Sequence, residues 1–186
     1  MRHLWMFAMM FVFLAVSCSK PRWTEVTLVQ LDDSSFELGE LADKKVVFVF
    51  LSPECPLCQS YALRINELVG EWTSDSLLFV GVVAGTFYPV SEIRQYIRKY
   101  NLELPVMLDP EMSLVRTLNA TITPEVFLCG PDGSILYQGA IDDWAISLGQ
   151  KKLQVEREYL HEAISSMHRG ESIEPDKTQA VGCFIE

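Results

Sequence analysis

The sequence has 186 residues, of which 49% are hydrophobic, and its formal net charge at pH 7 is −10. This length is enough for one domain with a buried core and short additions, and the hydrophobic content is typical of a globular chain rather than a disordered one. The acidic charge, without any cluster of Lys or Arg, argues against nucleic-acid binding and against electrostatic attraction to anionic lipid.

The N-terminal residues have the layout of an export signal. Arg2 and His3 form a short positive start, and residues 4–16 are apolar and uncharged. This run is shorter than the roughly 20 apolar residues that a membrane-spanning helix needs. Residues 1–17 are therefore predicted to be a secretory signal peptide.

The cysteine that follows this signal predicts a lipid anchor. Residues 14–18 resemble a bacterial lipobox, in which Cys18 becomes the lipid-bearing N-terminus, although Ala15 stands where a branched residue is expected. An ordinary cut after Ser17, which would leave Cys18 as a free thiol, is the alternative. The preferred interpretation is a lipoprotein of the cell envelope that faces the periplasm, held on the lipid bilayer through acylated Cys18, in a compartment that permits disulfides.

The first half of the chain alternates between strand and helix patterns. Residues 46–51 are a continuous run of β-branched and aromatic residues, which is typical of a strand buried on both faces of a sheet. In chain order, the predicted elements are a strand over 26–31, a short return strand over 36–38, the buried strand over 46–51, a helix over Pro56–Trp72, a strand over Leu77–Ala84 and a helix over 91–100 with Ser91 as its N-terminal cap.

The second half contains a hairpin and a closing helix. Asp109-Pro110 combines a capping residue with a proline suited to the first turn of a helix. The predicted elements are a strand over 105–108, a helix from 110 to about 118, two strands over 125–129 and 134–138 joined by the turn residues 130–133, a helix over 152–168 and a polar tail that ends in the apolar run 181–185.

Together these elements predict an α/β fold with a central mixed β-sheet flanked by helices and an N-terminal β-hairpin. Strands joined through a helix are expected to be parallel, and the hairpin strands antiparallel. The predicted organisation is a signal peptide of the lipoprotein type over residues 1–17, a linker from the lipid anchor over 18–25, a folded domain over 26–168 and a C-terminal tail over 169–186.

The segment Cys55-Pro56-Leu57-Cys58 lies where the buried strand passes into the following helix. The free N–H groups and the dipole at a helix N-terminus favour a thiolate, which is the form that attacks disulfides. Pro56 suits the first helical position, because the N–H that it lacks would be unsatisfied there. Cys55 and Cys58 are therefore the predicted redox pair, in which Cys55 attacks a substrate disulfide and Cys58 displaces the reduced product.

Two structural interpretations of the cysteine pair stay open at this level. Half of a zinc site would need a second cysteine pair or histidines at ligand spacing, but His161 and His168 are seven residues apart near the end of a helix. An inert structural disulfide would be an unusual use of a tight C-x-x-C at a helix start. The sequence predicts no metal and no cofactor.

Four segments resemble the thioredoxin-like redoxin family, which includes the alkyl hydroperoxide reductase/thiol-specific antioxidant proteins. The similarity spans roughly residues 24–145, and residues 133–143 resemble the segment G-x-x-x-Y-x-G-x-I-D-D of exported members. The segments are 46–51, 55–58, 105–109 and 123–127. The resemblance implies a thioredoxin-like fold. It also implies that Thr123 and Pro124 form a substrate-binding loop, with a cis proline beside the active cysteines and the Thr123 backbone presented to the substrate chain.

The sequence departs from relatives of this family at several positions. Pro56 directly follows the first cysteine, as in glutaredoxins and the periplasmic C-P-H-C oxidants, which predicts a pair less reducing than thioredoxin at about −270 mV. Val49 replaces the buried acid that assists proton removal in thioredoxin, so Glu54 or solvent would have to serve; a simply solvated Glu54 is the alternative. The peroxidase signature P-x-x-x-T-x-x-C is not matched, because Phe48 and Ser52 stand at its Pro and Thr positions. The C-x-x-x-C and distant His of copper-delivery relatives are also missing.

Two further cysteines lie beyond the motif. Cys129 alternates within a predicted strand, where a free cysteine is commonly buried as core filler. Cys183 in the tail is a candidate auxiliary residue, because an exported protein rarely leaves an exposed thiol. It would bond to Cys129 or act as a third redox cysteine with the Cys55/Cys58 pair, and the sequence does not choose.

The sequence therefore predicts a thiol–disulfide oxidoreductase whose partners are protein thiols and disulfides and an electron donor of unknown identity. Two alternatives are kept. One is a thiol-dependent peroxidase, in which Cys55 reacts with peroxide and Cys58 or Cys183 resolves it. The other is a non-enzymatic metal carrier or scaffold module with the same fold.

Overall fold

The computed structural model describes residues 22–185. The predicted signal peptide and the lipid attachment at Cys18 lie outside the described residues, as does the first half of the predicted linker, residues 18–21. Within the described range, no helix combines the length and the apolar character needed to span a bilayer.

The described residues form a mixed β-sheet with helices on both sides. Its seven strands have the order β2-β1-β5-β4-β3-β7-β8, in which β4 is parallel to β3 and β5 while the other neighbours are antiparallel. The strands are β1 (Thr27–Val29), β2 (Ser35–Glu37), β3 (Lys45–Leu51), β4 (Leu77–Ala84), β5 (Val106–Asp109), β6 (Ile122–Thr123), β7 (Glu125–Cys129), β8 (Ile135–Gly139), β9 (Ala145–Ser147), β10 (Gln150–Lys151) and β11 (Cys183–Phe184). The helices are α1 (Pro56–Trp72), α2 (Val90–Tyr100), α3 (Ser113–Leu118) and α4 (Tyr159–Arg169). The predicted α/β fold with a mixed sheet and an N-terminal hairpin is confirmed.

The central strand β3 separates two layers of hydrophobic core. Val49 and Leu51 pack in the layer beneath α1, α2 and α4, whereas Phe48 and Phe50 pack in a second layer with Trp23 and α3. Because both faces of β3 are buried, its sequence is continuously apolar and does not alternate between apolar and polar residues. The cysteine pair belongs to the first layer.

The start of α2 differs from the prediction. The helix begins at Val90, and Pro89 rather than Ser91 occupies the N-cap position. Pro89 has an extended backbone (φ −66°, ψ 149°) and makes no side-chain capping bond. A proline fixes φ near the value that a helix needs, so the N-cap position can lie two residues earlier than the predicted side-chain cap at Ser91.

The start of α3 is also corrected, because the helix begins at Ser113 and not after Pro110. The Asp109 carboxylate still caps it, from four residues upstream. It accepts hydrogen bonds from the N–H groups of Ser113 (2.8 Å), Leu114 (2.9 Å) and Val115 (3.0 Å). These are N–H groups that a helix cannot satisfy internally, so Asp109 fixes the helix without belonging to it.

The closing helix predicted over 152–168 begins seven residues later, at Tyr159. The residues before α4 include a small antiparallel hairpin, formed by β9 and β10. Asp143 holds this segment, because its carboxylate contacts Lys152 Nζ (2.7 Å) and accepts the N–H of Glu156 (2.9 Å). Leu153, expected on the inner face of the helix, is fully exposed.

The residues predicted as a polar tail run back along the sheet. Thr178 N donates to Gln138 O (2.9 Å), and the hydroxyls of Thr178 and Tyr137 are 2.6 Å apart. Gly139 permits this close approach, because a Cβ there would overlap Thr178. The segment ends as β11, antiparallel to β6, and thereby reaches the region of the cysteine pair.

Candidate active site

Cys55 lies four residues beyond the end of β3, at the N-terminus of α1. Its backbone is extended (φ −70°, ψ 117°), and Pro56 occupies the first turn of the helix. The Cys55 N–H donates to Ser52 O (3.2 Å), and the Cys55 carbonyl accepts a hydrogen bond from the N–H of Gln59 (3.1 Å). The free N–H groups and the dipole of a 17-residue helix therefore favour negative charge at Cys55.

Cys58 lies in the first turn of α1 and is completely buried. Its sulfur accepts a hydrogen bond from the N–H of Ser52 (3.4 Å), and its carbonyl accepts one from the Tyr96 hydroxyl (3.2 Å). Burial, followed by the hydrogen bond and the negative charge of Cys55, raises the pKa of Cys58 well above its usual value. Cys58 is thus held as a protonated thiol behind Cys55.

The sulfur of Cys55 is surrounded by groups with opposite effects. The hydrogen bond from the Cys58 thiol, with a further one from Cys183, lowers the pKa of Cys55 to about 4, although burial acts against them. Like burial, the contact between Cys55 Sγ and Thr123 O (3.1 Å) favours the protonated form of Cys55, because only a thiol can donate to a carbonyl. The two neighbouring thiols and the helix N-terminus together outweigh this one carbonyl, so we assign the thiolate to Cys55 at neutral pH.

The loop that contains Thr123 and Pro124 lies against Cys55 through that carbonyl contact. The Thr123–Pro124 peptide bond is cis, and Thr123 is buried. Glu125 supports the loop, because its carboxylate accepts hydrogen bonds from the N–H groups of Thr121 (2.9 Å) and Ile122 (3.4 Å). Burial raises the pKa of Glu125.

A groove of about 380 Å³ opens beside Cys55. Phe87 and Phe184 stand at its rim and are 75% and 78% exposed, whereas Cys55 is only 1% exposed. The other lining residues come from the end of β3, the loop after β4, β6 and the end of the chain: Leu51, Ser52, Glu54, Ala84, Tyr88, Thr123, Cys183 and Ile185. A groove with exposed aromatic side chains at its rim and a recessed sulfur at its base is better suited to an apolar polypeptide segment than to a small polar molecule.

The auxiliary residues are distributed unevenly around this groove. Glu54 is exposed and lines the groove, and Pro56 is exposed at the helix start. Cys183 lines the groove beside Cys55, whereas Cys129 is buried in the second core layer. Cys129 and Cys183 are free thiols on opposite sides of the sheet, so the pairing considered from sequence is not formed. In residues 22–185, no group of three or more His, Cys, Asp or Glu side chains is arranged to hold a metal ion.

Sequence reasoning did not identify the polar side-chain contacts of α1 and of the groove. The hydroxyl of Tyr61 donates to the buried carboxylate of Asp142 (2.5 Å), and burial raises the pKa of that carboxylate. The hydroxyls of Tyr88 and Ser52 are 2.9 Å apart at the groove. The periodicity of α1 marked Tyr61 as an inward residue, but periodicity carries no information about where its hydroxyl finds a partner.

The position of the cysteine pair, after the central strand and against a Thr-Pro loop that precedes a hairpin strand, defines a thioredoxin-like protein of the redoxin type. The sequence model of the AhpC/TSA family matches residues 21–138, and the chain belongs to this family. The segments identified from sequence as redoxin-like lie within this match or at its border.

The chain is also similar to individual proteins. It is 25% identical over 109 residues to the thiol-disulfide oxidoreductase ResA of Halalkalibacterium halodurans, a match that covers 59% of this chain and 61% of the relative. A hypothetical protein of Sinorhizobium meliloti 1021 has a TM-score of 0.71 at 21% identity, over 88% of this chain and 91% of its own. The exposed lipoprotein thioredoxin of Streptococcus pneumoniae strain TIGR4 has a TM-score of 0.53 at 20% identity, over 61% and 86%. At these identities the two structural similarities show the fold.

Proposed function

We propose that the protein is a thiol–disulfide oxidoreductase that exchanges electrons with protein disulfides through Cys55 and Cys58. The observation that carries the proposal is the placement of the two sulfurs, with Cys55 at the N-terminus of α1 beside the groove and Cys58 fully buried in the first turn behind it. In agreement with this placement, the pKa of Cys55 is lowered to about 4 and that of Cys58 is raised. A nucleophile in front and a protonated thiol behind it are what a two-step exchange needs. The similarity to a thiol-disulfide oxidoreductase over 61% of that relative's length supports the same activity.

In the first step, the Cys55 thiolate attacks one sulfur of a substrate disulfide. A bond forms between Cys55 and the substrate, the substrate disulfide breaks, and the departing substrate thiolate takes a proton from solvent. The substrate segment would lie in the groove between Phe87 and Thr123. Thr123 and the following Pro124 are the proposed substrate-binding residues, and of these two Thr123 lines the groove. The backbone of Thr123 is already within contact distance of the Cys55 sulfur, at 3.1 Å.

In the second step, Cys58 loses its proton and attacks the Cys55 sulfur, which releases the second substrate thiolate and forms the Cys55–Cys58 disulfide. The mixed disulfide prepares this step, because it removes the negative charge of Cys55 that helps to raise the pKa of Cys58. The substrate gains two electrons and the protein loses two. A separate electron donor then reduces the protein again.

A thiol-dependent peroxidase is less well supported by the same residues. Phe48, at the position of the peroxidase proline, packs in the second core layer, on the far side of the sheet from Cys55. Ser52 makes its side-chain contact with Tyr88. Neither residue is positioned to orient a peroxide at Cys55.

The proposed location is the cell envelope, facing the periplasm. Residues 1–17 would be removed as a signal peptide, Cys18 would carry the lipid, and the residues up to 25 would link the anchor to the folded domain. An oxidising compartment would suit a protein that handles disulfides in other proteins.

Reduction of insulin disulfides by the full chain in detergent, with dithiothreitol as electron donor, tests the activity. The Cys55→Ser variant is expected to lose at least about 100-fold in rate, because no other thiol carries the first attack. The Cys58→Ser change combined with Cys183→Ser, which removes the other thiol that lines the groove, is expected to accumulate a mixed disulfide on Cys55. The Cys129→Ser variant is the matched control, since Cys129 is buried in the other core layer. Reduction that survives the Cys55→Ser change would refute the proposal.

A further inference from the structure

The C-terminal strand lies on the loop that touches Cys55. In β11, Cys183 is paired with Thr123 and Phe184 with Ile122, in antiparallel register. The N–H of Ile185 donates to Thr121 O (3.0 Å), which extends the pairing by one bond. The chain thus adds one of its own strands to the edge that a bound polypeptide would use for main-chain hydrogen bonds.

The sequence at this point allows an unusually close approach of the two backbones. A Cβ added to Gly182 would overlap the carbonyl of Thr123 and the side chain of Ile122. The Thr123 hydroxyl also donates to Cys183 O at 3.4 Å. The close contact between β11 and β6 therefore requires a glycine at position 182.

This strand brings a third sulfur to the cysteine pair. Residues directly opposite each other in an antiparallel pair have Cβ atoms only about 4.5–5.5 Å apart, so Cys183 lies beside Thr123 and next to Cys55. Burial, and after it the hydrogen bond and charge of Cys55, raises the pKa of Cys183 to about 11. Cys183 is also more exposed than Cys55 or Cys58, which are at 1% and 0%.

We propose that β11 is a substrate segment built into the chain and that Cys183 is a third redox-active cysteine, which exchanges with the Cys55–Cys58 disulfide. The inference rests on the proposed function, since it requires Cys55 to be the reactive sulfur. In the exchange, the Cys183 sulfur attacks Cys55, the Cys55–Cys183 bond forms and the Cys55–Cys58 bond breaks. Cys58 leaves as a thiolate and takes up the proton that Cys183 lost, so the protein is neither oxidised nor reduced overall.

The exchange moves the oxidised sulfur towards solvent. A partner thiol reaches the half-buried Cys183 more easily than the recessed Cys55. If it attacks Cys183 in the Cys55–Cys183 disulfide, the leaving group is the Cys55 thiolate, and a thiol of low pKa leaves faster. Cys183 is therefore the expected point of contact for the electron donor.

Disulfide mapping in the Cys58→Ser variant of the full chain tests the inference with oxidised glutathione as the probe. Cys55 attacks oxidised glutathione and forms a mixed disulfide with release of one glutathione, and Cys183 then displaces the second glutathione. After acid quenching and peptide mass spectrometry, the Cys55–Cys183 disulfide is expected to exceed the Cys55–glutathione adduct by at least about tenfold, because the two sulfurs are held together at high effective concentration.

Three variants in this background separate the possible explanations. Adding Cys183→Ser should leave a stable glutathione adduct on Cys55. Adding Gly182→Ala should detach β11 and reduce the Cys55–Cys183 yield several-fold, whereas Gly70→Ala, where a Cβ meets nothing within 4 Å, should have no effect.

The outcomes also distinguish this inference from the proposed function. A glutathione adduct on Cys55 with Cys183 left as a free thiol would overturn the inference, while insulin reduction by the unmodified chain would still support the oxidoreductase. A Cys55 that oxidised glutathione does not modify, in a chain that does not reduce insulin, would overturn both.

Discussion

The pH dependence of the Cys55–Cys58 reduction potential follows from the protons that the two sulfurs bind. Reduction of the disulfide adds two electrons, and each proton bound by the product changes the potential by about 30 mV per pH unit. Cys58 stays protonated because its pKa is raised, whereas Cys55, with a pKa of about 4, takes up no proton near neutrality. We therefore expect a slope of about −30 mV per pH unit between about pH 5 and 8, and about −60 mV per pH unit below about pH 4.

The thiolate also sets the expected value of the potential. The attacking cysteine of thioredoxin has a pKa of about 7, whereas that of Cys55 is about 4. At pH 7 this lower pKa shifts the equilibrium between oxidised and reduced protein towards the reduced form by nearly three powers of ten, a factor of several hundred. For a two-electron couple this difference corresponds to roughly 80 mV. Added to thioredoxin's potential of about −270 mV, it gives about −190 mV, a less reducing pair, in the direction that the proline after Cys55 predicts.

Equilibration of the full chain with glutathione buffers at several pH values measures both quantities. The fraction of Cys55–Cys58 disulfide is read after acid quenching, alkylation and peptide mass spectrometry, and the Cys183→Ser variant keeps exchange with the tail out of the equilibrium. The Cys129→Ser variant should give the slope of the unmodified chain. A slope near −60 mV per pH unit between about pH 6 and 8 would mean that Cys55 is protonated there. A potential below that of thioredoxin would refute the assignment of a milder couple.

Three further predictions concern stability. Cys55 should contribute a rise with pH in the free energy of unfolding of the reduced protein between about pH 4 and 8.5, because in that window the unfolded Cys55 thiol binds a proton that the native thiolate does not. Glu125 and Asp142, whose pKa values are raised by burial, contribute in the opposite direction at the acid end of this window, so urea titrations under reducing conditions compare the unmodified chain with Cys55→Ser. The Asp109→Ala variant should lose about 2–4 kcal/mol, because three N–H groups at the start of α3 lose their acceptor. The Tyr61→Phe variant should lose about 1–3 kcal/mol, because a buried carboxylate loses a donor.

Each stability prediction has a matched control. In the Cys55→Ser variant the rise with pH should be reduced, and an unchanged rise would rule out a native thiolate. Asp43→Ala, at an exposed position, should change stability by less than about 0.5 kcal/mol. Tyr100→Phe should cost less than Tyr61→Phe, since the Tyr100 hydroxyl makes no side-chain hydrogen bond within residues 22–185. Equal losses in either matched pair would contradict the assigned contacts.

Local patterns were sufficient to predict the elements that build the central layer of the fold. The apolar run of β3, the periodicity of α1 and the apolar run of β4 each reach the element's observed bounds within a residue. The start of α4 could not be predicted in the same way. Leu153 is in phase with the helix, but contacts of Asp143 with Lys152 and with the N–H of Glu156 hold the preceding residues in another conformation, and these contacts depend on tertiary structure.

The same distinction applies to the site. The spacing of Cys55 and Cys58 and their place at a helix start were sufficient to predict where the structure puts them, since both properties are local. The support of the Thr-Pro loop by Glu125 was not predictable, because a glutamate at a strand start usually reads as a surface residue. The apolar run 181–185 marked a segment that could be covered, but its docking site depends on backbone hydrogen bonds and on the small size of Gly182, which the sequence does not indicate.

The charge on Cys55 links the protonation of all three sulfurs at the site. In thioredoxin, as noted above, a buried acid assists proton removal from the second cysteine, but Val49 at that position packs in the core as an aliphatic side chain. Here the negative charge of Cys55 helps to raise the pKa of both Cys58 and Cys183. Once Cys55 enters a disulfide that charge is gone, and either neighbour loses its proton more easily. In the proposed mechanism, formation of the mixed disulfide would itself prepare the resolving thiol, without an acid at the position of Val49.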